Sequence, residues 1–264
     1  MRRVIALVIV SSLVLSTVAA GAGDFVRIAG GAFVMGRDDG APEEAPAHRV
    51  TLSAFRLQIR KVTNREFAEY LNAAGLNGPD GRRYDDDDAD ARIHRRDGRW
   101  IADPGFAEHP AVEVSWFGAR DYCVSKGRRL PTEAEWERAA RGLQGARYPW
   151  GAAPPTPERA VFGRAYNATD RGEARPAGRT PEGVEDLLGN LREWTASPLL
   201  PYPLSQDAQR PLTAFPEGAP VVVRGASHDD PAENLSVTRR RFYERRVASA
   251  GHHFVGFRCA ESGP

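Results

Sequence analysis

Apolar residues along this chain come in short bursts separated by polar, glycine- and proline-marked breaks, and the period of the bursts changes along the sequence. Phe25–Gly36, FVRIAGGAFVMG, holds two brief apolar runs on either side of Gly30 and Gly31, a pattern that predicts a hairpin. Val50–Ile59, VTLSAFRLQI, alternates like a half-buried strand. The period then lengthens to that of a helix. Thr63 and Glu66 have the spacing of a capping box, and Phe67, Tyr70 and Leu71 fall on one face behind it. In His109–Gly142, AVEVSW reads as a strand ending at Ser115, which N-caps a helix stopped by Gly127. Thr132 and Glu135 make a second capping box, and Gly142 ends that helix. Tyr148–Gly151, YPWG, opens a long irregular stretch that lasts until Glu185–Pro198, EDLLGNLREWTASP. The final block, Val221–Ala260, begins with the apolar run Val221–Val223. No repeat with a period of roughly twenty to fifty residues is present, which excludes a solenoid or propeller. Few helices, short strands and abundant turns predict a fold rich in irregular backbone.

Composition adds limits. The chain has 264 residues, with 36 Lys+Arg against 35 Asp+Glu and a formal net charge of +1. It is long enough for one large domain or two small ones, and it gives no electrostatic reason to expect nucleic acid or an anionic membrane as partner. The first residues stand apart: Arg2 and Arg3, then the apolar run Val4–Ala20 and a small-residue exit. That sequence predicts a signal peptide over residues 1–22 and an exported, periplasmic or secreted domain over 23–264, free of the membrane after cleavage. A membrane anchor is the alternative, although the run is short for a span and lacks a basic stop-transfer flank. Export bears on Cys123 and Cys259, the only two thiols. An oxidising compartment favours their pairing; two free thiols, one of them reactive, is the rival reading.

Asp85–Asp88, DDDD, invites a metal assignment, but an EF-hand needs alternating oxygen donors, a central glycine and a distant glutamate. The run lacks these in register and reads as a solvated loop. Arg239–Arg246, RRRFYERR, reads either as a basic wall for an acidic ligand or as a strand whose arginines pair with carboxylates. Trp116, Trp136, Trp150 and Trp194 read as core anchors and not as a ligand-stacking set.

Six motifs in order, GGAFVMG, RLPTEAEWERAARG, YPWG, DLLGNLREWT, RGAS and GFRC, together with HRVTLSAF and VTNREFAEYL, resemble the formylglycine-generating enzyme, or sulfatase-modifying factor, domain from about Phe25 to Ala260. The resemblance implies a single α+β domain of C-type-lectin-like architecture. It implies that Cys123 and Cys259 pair, and that calcium is held by Asp186 and Glu193 carboxylates with Gly189 and Leu191 carbonyls. A second calcium site would fall around Phe162–Arg171. Family members oxidise a substrate cysteine with copper held by two cysteines beyond the turn matching RGAS; here those positions are Asp230 and Leu235. Neither supplies the soft sulfur that holds Cu(I), nor a thiolate to exchange with a substrate thiol. The resemblance therefore implies a member that is not a formylglycine generator. Exported relatives without the cysteine pair act in oxidative tailoring of a peptide siderophore, which points to an oxidase-like maturation factor for a peptide or protein. His228, Asp229 and Asp230 are then the candidate catalytic residues, with Glu233, His252 and His253 nearby as further donors for a redox metal of unspecified identity. The competing expectation is a non-catalytic, lectin-like binding or accessory module.

Overall fold

A computed structural model describes residues 24–206, 210–216 and 218–263; the expected signal segment lies outside them. No helix among the described residues is long and apolar enough to cross a membrane.

Both capping boxes form. Thr63 caps α1 (Asn64–Ala74) and Thr132 caps α3 (Glu133–Arg141), each closed reciprocally by the glutamate at N3. Between them α2 (Trp116–Ser125) starts at Ser115, whose hydroxyl accepts the Gly118 N–H at 3.1 Å. These signals act over three residues, so the sequence alone places the helix starts.

The strands depart from expectation. β1 (Phe25–Ile28) and β2 (Gly31–Met35) do not pair with each other. The alternating run is broken at Ser53–Ala54 into β3 (His48–Leu52) and β4 (Phe55–Gln58), so that β2 pairs β3 and β1 pairs β4. The predicted hairpin is thus replaced by two separate pairings, β1 with β4 and β2 with β3. AVEVSW is not a strand either: Glu113 adopts φ 58, in the left-handed region that no strand residue occupies. Of the acidic run only Asp85 is fully buried; Asp87 and Asp88 are exposed, as a solvated loop requires.

A second antiparallel ribbon, β5 (Ile93–Arg96) with β6 (Arg99–Ala102), packs on α1. A four-stranded sheet in the order β10-β7-β8-β9 carries the functional end of the molecule. It comprises β7 (Arg192–Pro198), β8 (Val221–Arg224), β9 (Arg240–Tyr243) and β10 (Val255–Gly256), with the short helix α4 (Arg245–Ala248) after β9. β11 (Ala260–Ser262) returns to β4.

The main core lies between α1, α2 and this sheet. Phe67, Tyr122 and Phe257 meet there with ring centroids 5.4–5.9 Å apart, and the Cys123–Cys259 disulfide is buried beside them. Trp116 and Trp194 are core anchors whose indole N–H groups donate to the Thr195 and Val114 carbonyls.

Candidate functional site

The turn after β8, Gly225–Asp230, is held by its surroundings. Gly225 has φ 84, and a Cβ there would lie 2.9 Å from the Leu187 carbonyl oxygen, so the exit from β8 requires glycine. The Ser227 amide donates to Asp230 Oδ2 at 2.8 Å, and the one Ser227 hydroxyl hydrogen is shared between Asp230 Oδ2 at 2.9 Å and Asp229 Oδ1 at 2.5 Å. The His228 amide donates to the Asn190 carbonyl, while His228 and Asp230 carbonyls accept from Arg164 and Gly163.

The three residues singled out in sequence have different fates. Asp230 is buried and committed: Arg192 donates to it at 2.9 and 3.1 Å and Arg241 at 2.7 Å. Burial raises its carboxyl, but the Ser227 amide and the two guanidinium groups win and hold it below the usual range. Asp229 is exposed and accepts from the Ser227 hydroxyl. His228 is fully buried, with Nδ1 on the Asn190 carbonyl at 3.0 Å and Nε2 without a partner. Asp229 and Asp230 meet at the Ser227 hydroxyl, but among the described residues the three do not form a metal-competent cluster.

The positions matching the family's cysteine pair are therefore occupied by an ion-paired carboxylate and by Leu235, which is buried in the core. The two thiols are bonded to each other. The residues present do not fit copper held by thiolates. A groove of about 470 Å³ is lined by Glu233 and Leu235 of this segment together with Arg37, Asp39, Arg147 and Tyr148.

Asp186 and Glu193 also lie together, but around a cation the protein provides. Lys61 Nζ sits 3.0 Å from Asp186 Oδ2 and 3.4 Å from Glu193 Oε1, with the lysine side chain fully buried. Arg258 adds a bidentate pair to Glu193 at 2.7 and 2.9 Å. Gly189 and Leu191 belong to the same buried turn. An ammonium between the two carboxylates takes the place expected for calcium, so the arrangement as it stands does not fit that ion. In Phe162–Arg171, Asp170 is likewise bonded to Arg164 and Arg175.

The arginines of β9 resolve in favour of ion pairing. Arg240 grips Glu133 at 2.7 and 2.8 Å, and Arg241 grips Asp230.

A second polar group lies past β9, and the sequence reading found only part of it. His252 stacks between Tyr243 and Phe254, with ring centroids 5.0 and 5.3 Å away. His253 lies against Tyr166, and its ring centroid is 6.1 Å from that of His228. Glu113 and Asp90 approach His253 from distant segments, and neither stood out in sequence. Burial, helped by Asp88, Asp90 and Asp86, pushes the Glu113 carboxyl up to about 8. Burial lowers the imidazoles of His228, His252 and His253, favouring the neutral form. For such a histidine the unfolded chain binds more protons, so its contribution to stability is lost as pH falls below the ordinary imidazole value. Relative to a His228→Asn chain, whose amide can meet the Asn190 carbonyl without titrating, wild-type protein should lose thermal stability between pH 7 and pH 5. Paired melting curves across that range check the sign.

Known proteins resemble the chain over its length. The profile of the sulfatase-modifying factor enzyme 1-like domain matches residues 12–262. The serine/threonine-protein kinase Pkn1 of Chlamydia trachomatis serovar L2 is 34% identical over 241 residues, covering 90% of this chain but only 38% of the relative. The inactive C-alpha-formylglycine-generating enzyme 2 of Mus musculus is 33% identical over 278 residues, covering 90% and 85%. Hercynine oxygenase of Mycolicibacterium smegmatis is 34% identical over 211 residues, covering 69% and 47%. Among solved structures, PvdO from Pseudomonas aeruginosa superposes with a TM-score of 0.69 at 25% identity, over 90% of this chain and 94% of that one. With the fold, the motif order and these matches in agreement, the chain belongs to the sulfatase-modifying factor, or formylglycine-generating-enzyme-like, domain family.

Proposed function

We propose that the chain is an exported, oxidase-like maturation factor for a peptide or protein substrate, and that it does not generate formylglycine. The observation that carries this reading is the loss of sulfur from the family's reactive positions beside an open groove. Asp230 is locked between two arginines, Leu235 is in the core, and both thiols are spent on a disulfide. A relative named an oxygenase supports oxidation by a member of this family other than through formylglycine. The groove's lining carries both signs, with Arg37 paired to Asp39, Glu233 acidic and Arg147 exposed, which suits a polar extended segment.

A second reading, a non-catalytic accessory module, is supported by the relative named as inactive. One experiment separates the two. Purified chain is incubated with the exported peptide pool of its source cell while oxygen uptake and peptide masses are followed. The oxidase reading expects oxygen consumption and a mass change in a discrete peptide, both reduced by Arg147→Glu. Retention of a peptide with no mass change would overturn it in favour of the accessory role.

A further inference from the structure

Three chain segments far apart in sequence bring metal-competent atoms to one point. Ligand atoms of Asp90, Glu113 and His253 all lie within 4.8 Å of one another. Backbone bonds hold the segments together: the Glu113 amide donates to the His252 carbonyl, and the Glu113 carbonyl accepts from the Asp86 amide at 2.9 Å. The Gly251 amide donates to Asp86 Oδ2 at 2.8 Å, and a Cβ on Gly251 would lie 1.9 Å from the Glu113 carbonyl oxygen. Only glycine permits that contact with Glu113, whose φ is 58.

The electrostatics are distinctive. Buried Glu133, Glu137, Glu193 and Asp230 each rest on an arginine. Glu113 is 3% exposed, and among the described residues no hydrogen bond or ion pair reaches its carboxylate, whose oxygens, unlike those of Asp85, are not fully sealed from solvent. A buried carboxylate without a partner is costly, and a bound cation removes that cost. Asp85, fully buried alongside, has both carboxylate oxygens unpartnered. The remaining contacts orient the donors: the Tyr166 hydroxyl donates to Asp90 Oδ2, and the Tyr166 ring lies 4.1 Å from that of His253. Such outer contacts fix the orientation of ligating side chains.

We propose that Asp90, Glu113 and His253 form a binding site for a divalent first-row transition-metal ion. Two carboxylates and one imidazole suit Mn(II), Fe(II) or Zn(II) better than calcium, which takes oxygen donors alone, or Cu(I), which takes sulfur. Three protein ligands leave coordination positions open, and His228 Nε2, buried and unpartnered, is the nearest additional imidazole donor. The site stands apart from the oxidase reading, because binding is read without turnover.

The test is calorimetric titration of Mn(II), Zn(II) and, anaerobically, Fe(II) into metal-stripped full-length chain carrying no polyhistidine tag. One ion per chain is expected, with affinity at least tenfold weaker in His253→Ala and in Glu113→Gln. Circular dichroism establishes that each variant is folded; should Glu113→Gln fail to fold, His253→Ala decides. Cu(II) used as a spectroscopic probe should show electron-spin coupling to imidazole nitrogen that His253→Ala diminishes. Absence of binding by all three ions at millimolar concentration, or unchanged affinity in His253→Ala, overturns the proposal.

Discussion

Replacing Glu193 with alanine will destabilise the protein by on the order of 3–5 kcal/mol, the range for removing one partner of a buried ion pair. Glu193 and Arg258 have no solvent-exposed side-chain surface, and Lys61 is equally buried 3.4 Å from Glu193. Arg258 also donates to the carbonyls of Gln58, Ile59 and Glu185, so it cannot swing out to water without breaking those bonds. Truncation at Glu193 therefore leaves two buried cations facing the single carboxylate of Asp186. For a domain of this size each kcal/mol lowers the melting temperature by roughly 2–4 °C, so a fall of roughly 6–20 °C is expected. Glu193→Gln, which keeps the shape and some of the hydrogen bonding, should cost less. A loss below about 1 kcal/mol in urea unfolding of Glu193→Ala would show that the network does not hold the turn before β7 in place.

The second large effect comes from the disulfide. Cys123 on α2 and Cys259 just before β11 are 136 residues apart in sequence. In the chain-entropy description, closing a loop of that length restricts the unfolded chain by about 5 kcal/mol. Both sulfurs are buried against Phe67, Tyr122 and Phe257, so a Cys123→Ala, Cys259→Ala chain loses packing as well as the crosslink. Denaturant unfolding of the double variant against the oxidised parent should show a loss of about 4–5 kcal/mol, and reductant should have little effect on the variant. Equal stability of the two chains would mean that the bond contributes nothing beyond contact.

What could be read from sequence follows the range of the interactions involved. Thr63, Ser115 and Thr132 announce their helices because a cap and its partner sit three residues apart. The strand partners of Phe25–Met35 were misread for the opposite reason. Alternation marks a strand but not its neighbour, and the short glycine link suggests a hairpin that the break at Ser53–Ala54 replaces. Glu113 reads as one position in an alternating run, but its φ is 58 and its backbone packs against Gly251, 138 residues later, a contact that leaves no local trace. The calcium expectation at Asp186 and Glu193 was reasonable for two nearby carboxylates, yet the cation between them is Lys61, which lies beyond β4 and far away in sequence. The loss of the reactive cysteines was the part of the site most legible in advance, since it is a matter of residue identity at two positions. That Asp230 is immobilised by Arg192 and Arg241 was not legible, because one of those partners comes from β7 and the other from β9.

The central claim is chemical: a family member whose only two thiols are joined in a structural crosslink should not carry out thiol oxidation through a cysteine pair. The most direct measurement is incubation of oxidised, copper-supplemented protein with a cysteine-containing sulfatase-type peptide, followed by mass spectrometry for the aldehyde product. The peptide should come back unchanged, and conversion to the aldehyde would contradict the claim.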